Sequence, residues 1–151
     1  DAAALKQVVL AAAQQVAELA PRALDRAQAL ELRADAPCAV QGDTTLLAVL
    51  VRNLVDNALR YSPVGARVQV GVHRLGERVR LQVEDSGPGL PPEALARLGE
   101  RFFRVLGTGQ DGSGLGWSIV RRIAAVHGAQ VQAGRSAALG GLDVTVDWPG
   151  G

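Results

Sequence analysis

RNLVDNALRYS, Arg52 to Ser62, sits inside a longer periodic segment, Thr44 to Tyr61, and its reading decides the fold. At about 100° per residue, Leu47, Leu50, Val51, Leu54 and Ala58 share one arc of a helix, the arc that would pack on a core. Asn53, Asn57 and Arg60 fall within roughly 60° of one another on the adjoining arc. Asparagine is a weak helix former, and two of them stand mid-helix where leucine or glutamate would cost less. Either they cap neighbouring loops or face water, or an amide oxygen serves as a hard neutral ligand for Mg²⁺ beside a phosphate. Asp43 precedes the segment as an N-cap would, and Pro63 and Gly65 end it.

On the C-terminal side, Val68, Val70 and Val72 alternate with polar residues, as do Val79, Leu81 and Val83, with Leu75-Gly76-Glu77 between them. That pattern predicts a hairpin with one face buried. The second strand runs into EDSGPGLPPEAL, where Asp85 ends an apolar strand, the chain turns through Gly87, Pro88 and Gly89, and a short helix starts near Glu93. A buried carboxylate needs donors. A surface turn would account for the glycines and proline alone. An adenine amino group would supply a donor to Asp85, whereas the carbonyl oxygen of guanine would meet it as a second acceptor. Further on come a helix from about Leu115 to His127, stopped by Gly128, and strands around Val131 and from Leu142 to Trp148.

On the N-terminal side, Ala2 to about Arg26 has helical spacing, with a break or kink expected at Pro21. Two strands follow, Leu30 to Ala34 and Cys38 to Gln41. The count is three main helices and about five to six strands, which predicts an α+β fold: helices layered on one face of a mixed sheet. The 151 residues suit a single domain. A formal charge of +1 and few aromatic residues argue against nucleic acid as a partner. The lone Cys38 rules out an intramolecular disulfide and reads as a buried structural thiol. No run of 18 apolar residues and no leader pattern is present, so the chain reads as a soluble piece, and its abrupt start as a fragment of something longer.

GTGQDGSGLGWSIV, Gly107 to Val120, looks built to hold phosphate, yet no lysine follows Lys6. That excludes both a Walker loop and a protein-kinase glycine loop. Gly107, Gly109 and Gly112 spell a dinucleotide fingerprint, but no strand leads into them, and Ser113 does not match a nucleophile elbow. A glycine-rich loop running into a helix N-terminus remains, where backbone N–H groups and the helix dipole favour an anion.

Taken in order, RNLVDNALRYS resembles the N box, EDSGPGL the G1 box, RFFRV the F box and GSGLGWSIV the G2 box of the ATP-binding catalytic domain of sensor histidine kinases. The four motifs span Asp43 to Gly128, and the joint match is specific where any single box would be modest. The resemblance implies the Bergerat fold, a two-layer α/β sandwich shared with gyrase, heat-shock chaperone and mismatch-repair ATPases. It implies that Asn57 holds Mg²⁺, that Asn53 and Arg60 approach the phosphates of ATP, that Tyr61 packs on adenine and that Asp85 accepts from its amino group. It gives Gly87 and Gly89 a close backbone approach to the base, Phe102 and Phe103 the anchoring of a lid, and Arg104 the γ-phosphate. Gly112, Gly114 and Gly116, with Ser113 and Leu115 between them, would wrap the phosphate chain. The short lid and Trp117 look most like the quorum-sensing or polymyxin-resistance type.

In water-activating ATPases of this fold, a glutamate one turn before the metal asparagine is the general base; here that place is Asn53, whose amide takes no proton at neutral pH. Asp56 lies on the outward side of the helix and reads as structural or solvent-facing. Neither His73, followed by Arg74, nor His127, followed by Gly128, resembles the family's phosphate acceptor, and both read as structural. The implied protein is the ATP-holding part of a histidine kinase. Its partners would be a histidine-bearing dimerisation domain and, indirectly, a response regulator. The fragment would be monomeric within a homodimeric full-length protein, a cytoplasmic domain of an inner-membrane sensor.

Overall fold

The computed structural model describes residues 5–34, 39–97 and 115–149. Chain order is β1 (Leu5–Gln7), α1 (Val8–Asp25), β2 (Ala29–Ala34), β3 (Ala39–Gln41), α2 (Thr44–Tyr61), β4 (Arg67–Leu75), β5 (Arg78–Asp85), the short α3 (Pro92–Arg97), α4 (Leu115–Val126), β6 (Gln130–Arg135) and β7 (Leu142–Trp148). The main sheet has five strands in the order β2-β4-β5-β7-β6. β2 and β4 run parallel and the other pairs antiparallel, so the sheet is mixed as expected.

Alternation fixes which face is covered. Val68, Val70 and Val72 of β4, Val79, Leu81 and Val83 of β5, and Val144, Val146 and Trp148 of β7 are all buried. They face the apolar stripes of α1, α2 and α4, including Leu19, Leu50, Leu54, Val120 and Ile123. The intervening residues form a polar outer face. There Arg80 donates twice to Asp147, at 2.7 and 3.1 Å, and Gln82 donates to Asp143 at 3.0 Å. Asp143 stands directly across from Glu84 in the strand register. Burial pushes the Asp143 carboxyl above its usual range and the Glu84 charge adds to this, while the Gln82 hydrogen bond and Arg80 act the other way.

The first helix departs from expectation at its start. Leu5–Gln7 pair antiparallel with Ala39–Gln41, and helix begins only at Val8. The three residues of β3 otherwise lack a ladder for their backbone groups, and this pairing outweighs helical periodicity. Pro21 does not end the helix, which continues to Asp25. Cys38 lies outside the described residues.

Both ends of α2 are pinned. At its start the Asp43 carboxylate accepts from Leu46 N at 3.0 Å, the N-cap the sequence predicts. Beside it, His127 Nε2 accepts from Asp43 N at 3.2 Å, and Nδ1 lies 2.8 Å from Ile123 O, which assigns the proton to Nδ1. The imidazole is packed so closely on Gly42 that a Cβ there would lie 2.5 Å from His127 Cδ2. At the other end, Gln28 Nε2 donates to Leu59 O at 2.9 Å and Ser62 O at 3.0 Å, and Arg26 donates to the same two carbonyls at 3.2 and 3.1 Å. These bonds satisfy last-turn acceptors that a helix leaves open. The turn between α1 and β2 thereby fixes the end of α2 that carries Asn57, Arg60 and Tyr61.

Candidate functional site

β5 carries its alternation through to Asp85, which puts a carboxylate on the covered side at the strand end, 3% exposed. Its Oδ1 accepts from Gly87 N at 2.9 Å and from Leu142 N at 3.1 Å. Oδ2 has no partner among the described residues. Burial pushes the Asp85 carboxyl above its usual range, and the two backbone N–H donors only partly offset this. A small, shallow pocket opens over it, lined by Tyr61, Asp85, Pro88, Gly89, Leu90 and Leu142. Apolar walls with one oriented acceptor at the base make a site for a flat, donor-bearing group.

The glycines around Asp85 answer to close contact. Gly89 has φ +72°, a left-handed conformation that glycine adopts without strain. A Cβ on Gly87 would fall 3.1 Å from Asp85 Oδ1. The tightest position is Gly141, where a Cβ would lie 2.2 Å from Asp85 Oδ1 and 2.4 Å from its carbonyl oxygen, to which Gly141 N donates at 3.0 Å. Leu142 lines the pocket and Gly141 packs against Asp85 beneath it, and the sequence alone points to neither as a site residue. Their only local signal is the Gly140-Gly141 pair ahead of β7. Its meaning depends on β5 and β7 being neighbours, a pairing made across 57 residues for the Leu142–Asp85 bond.

Along α2 the polar stripe borders this pocket through Tyr61. Asn57 is partly buried, and its Nδ2 is enclosed without a partner among the described residues. An enclosed amide N–H without a partner calls for an acceptor, whereas the cation-ligating atom of the same amide is Oδ1. Asn53 turns its Nδ2 back onto Val49 O at 2.8 Å, which leaves Oδ1 as its outward group. Arg60 donates through Nε to Asp56 Oδ2 at 3.0 Å, and Arg22 of α1 donates to Asp56 Oδ1. Asp56 is thus a bridge between helices, in line with its structural reading.

Of the remaining expected residues, Phe102, Phe103, Arg104, Gly112, Ser113 and Gly114 lie outside the described residues. Leu115 and Gly116 open α4, whose first backbone N–H groups have no acceptor within the helix. α4 packs along α2, and its end meets the start of α2 through His127. Its N-terminus therefore points toward the half of α2 that bears Asn53 and Asn57, where an anion would meet the helix dipole. Trp117, one residue further on, is buried. His127 serves the interlock described above, and His73 lies mid-strand in β4, opposite Arg80.

Residues 42–150 match the histidine kinase-, DNA gyrase B-, and HSP90-like ATPase family, and the chain belongs to it. Within that family it is the ATP-binding kinase domain of the two-component sensor histidine kinase type. The sensor protein QseC of Salmonella typhimurium is 52% identical over 107 residues, 71% of this chain and 23% of the relative. This chain therefore spans about a quarter of that protein's length. The mycobacterial sensor histidine kinase MprB superposes with a TM-score of 0.88 at 28% identity, covering 97% of each chain. Full-length ShkA in complex with AMPPNP gives a TM-score of 0.82 at 27% identity, covering 96% of this chain and 31% of that one.

Proposed function

We propose that this domain binds ATP with Mg²⁺ and presents the γ-phosphate to a histidine on a separate dimerisation domain of the same kinase. One observation carries the purine assignment: Asp85 Oδ1 is held by two backbone N–H groups while Oδ2 has no partner among the described residues, beneath a pocket walled by Tyr61, Pro88 and Leu90. An amino group donating to Oδ2 repays the cost of keeping a carboxylate buried, and the carbonyl of guanine would not.

Asn57 would hold the metal. Mg²⁺ commonly takes one or two protein ligands and completes its shell with phosphate oxygens and water, so a single amide oxygen suffices. Bound there, the ion would neutralise charge on the phosphate chain. Arg60 and the amides opening α4 would orient the same chain, with Gly112, Ser113 and Gly114 continuing the cradle and Phe102, Phe103 and Arg104 closing over it. Asn53 supports transfer to protein over transfer to water: its amide is no base, and it is tethered to Val49. The chain's share of catalysis is positioning and charge neutralisation, while the nucleophile comes from the other domain.

The test mixes this chain with radiolabelled ATP, Mg²⁺ and a separately made histidine-bearing hairpin domain of the same kinase. Acid-labile label should appear on the hairpin domain alone, with slow phosphate release from the isolated chain. Fast phosphate release without transfer would replace this proposal with an ATP-driven clamp, and label on His73 or His127 would refute their structural assignment.

A further inference from the structure

We infer that Asp56 is a positioning residue for nucleotide binding, a carboxylate that holds the Arg60 guanidinium ready for the phosphates; this rests on the reading of Arg60 as phosphate-facing. Asp56 and Arg60 are one helical turn apart on α2, and Asp56 Oδ2 accepts from Arg60 Nε at 3.0 Å. Arg60 shares its arc with Asn57 and Asn53, the arc that borders the pocket. Binding at Nε fixes the plane of the guanidinium fork. An arginine anchored this way meets a phosphate with less rotamer freedom left to lose.

The second oxygen of Asp56 is itself committed. Oδ1 accepts from Arg22 near the end of α1, so the carboxylate stands between two cations on different helices. Asp56 is the least exposed member of the triad, with 21% of its side chain exposed against 38% for Arg60 and 46% for Arg22. The two arms have separable jobs. The Arg22 arm ties α1 to α2, and the Arg60 arm orients a side chain toward the ligand.

The direction of the effect separates positioning from simple charge. A carboxylate near a triphosphate repels it, so if Asp56 acted only through its charge, neutralising it would tighten ATP binding. Positioning demands the reverse. Asp56→Asn keeps the shape and one weak acceptor, and it should raise the Kd for ATP with Mg²⁺ by about three- to tenfold. The Kd for adenosine, which has no phosphate, should not move. Arg22→Gln should leave both constants unchanged, and Asp56→Glu should recover part of the lost ATP affinity.

Calorimetry on the 151-residue chain reads these constants, with melting curves run on each variant. If loss of the helix tie lowers the yield of folded Asp56→Asn, the double change Arg22→Gln/Asp56→Asn is compared with Arg22→Gln alone, where the tie is already broken. Unchanged or tighter ATP binding in Asp56→Asn overturns the inference. Equal losses in Asp56→Asn and Arg22→Gln overturn it too, because the helix clamp then explains both. An Arg60→Gln variant with parental ATP affinity would place the failure one step earlier, in the phosphate role of Arg60.

Discussion

Replacing Asp85 by asparagine changes one atom that matters and leaves the rest of its cage intact. The amide oxygen can still accept from Gly87 N and Leu142 N, now 2.9 and 3.1 Å from Oδ1. Where Oδ2 offered an acceptor to the pocket, the variant offers N–H donors. For adenine this removes a hydrogen bond to a charged group, worth about 1.5–3 kcal/mol, and sets donor against donor, which costs about 1–3 kcal/mol more. At 1.4 kcal/mol per decade, the sum of about 2.5–6 kcal/mol weakens ATP binding by roughly 10²- to 10⁴-fold. The same swap suits the carbonyl of guanine, so the preference for ATP over GTP should shrink or invert. The fold should hold at pH 7, because the variant no longer buries a charge. Titration calorimetry with both nucleotides and a thermal melt measure all three outcomes. ATP affinity within about threefold of the parent, in a folded variant, would refute the placement of the purine on Asp85.

Asn57→Ala should abolish the Mg²⁺ dependence of ATP affinity, which titrations with and without the metal would reveal; a dependence equal to the parent's would contradict the ligand assignment. Gly141→Ala forces a methyl group to 2.2 Å from Asp85 Oδ1, so it should destabilise the chain by about 1–3 kcal/mol in denaturant titration and remove ATP binding. Both Asp85 and Asp143 have raised carboxyl pKa values, so the folded chain holds more protons than the unfolded one between the ordinary value of 3.8 and the raised ones. In that window stability falls as pH rises. Melting temperatures across mildly acidic pH should show this decline, and Asp143→Asn should flatten it. Over the same range ATP affinity should fall on acidification, because a protonated Asp85 loses its charged acceptor.

The helix Thr44–Tyr61 and the β4–β5 hairpin were legible because each buries one face along its whole length, so the period is written many times over. The N-cap Asp43 followed from the helix, whereas Tyr61 and Asp85 were brought to one ligand only by the family resemblance; they line one pocket. β1 was not legible: three residues carry no period, and their state depends on a partner more than thirty residues away. Gly141 and Leu142 escaped for a related reason. Their importance comes from strand order, which sets β7 beside β5 and brings two backbone N–H groups to the Asp85 carbonyl and carboxylate's neighbourhood. The Arg60–Asp56 pair is a helix-surface contact readable from i,i+4 spacing, whereas the reach of Arg22 from α1 depends on how two helices pack.

The imidazole of His127 wedged against Gly42 has a consequence for how such a chain can change over time. Neither position can drift alone: any side chain at 42 collides with the ring, and a smaller residue at 127 leaves Asp43 N without its acceptor and opens a gap at the head of α2. The two sites should travel as a pair through sequence history. A library randomising both together should recover working combinations that neither single-site library contains.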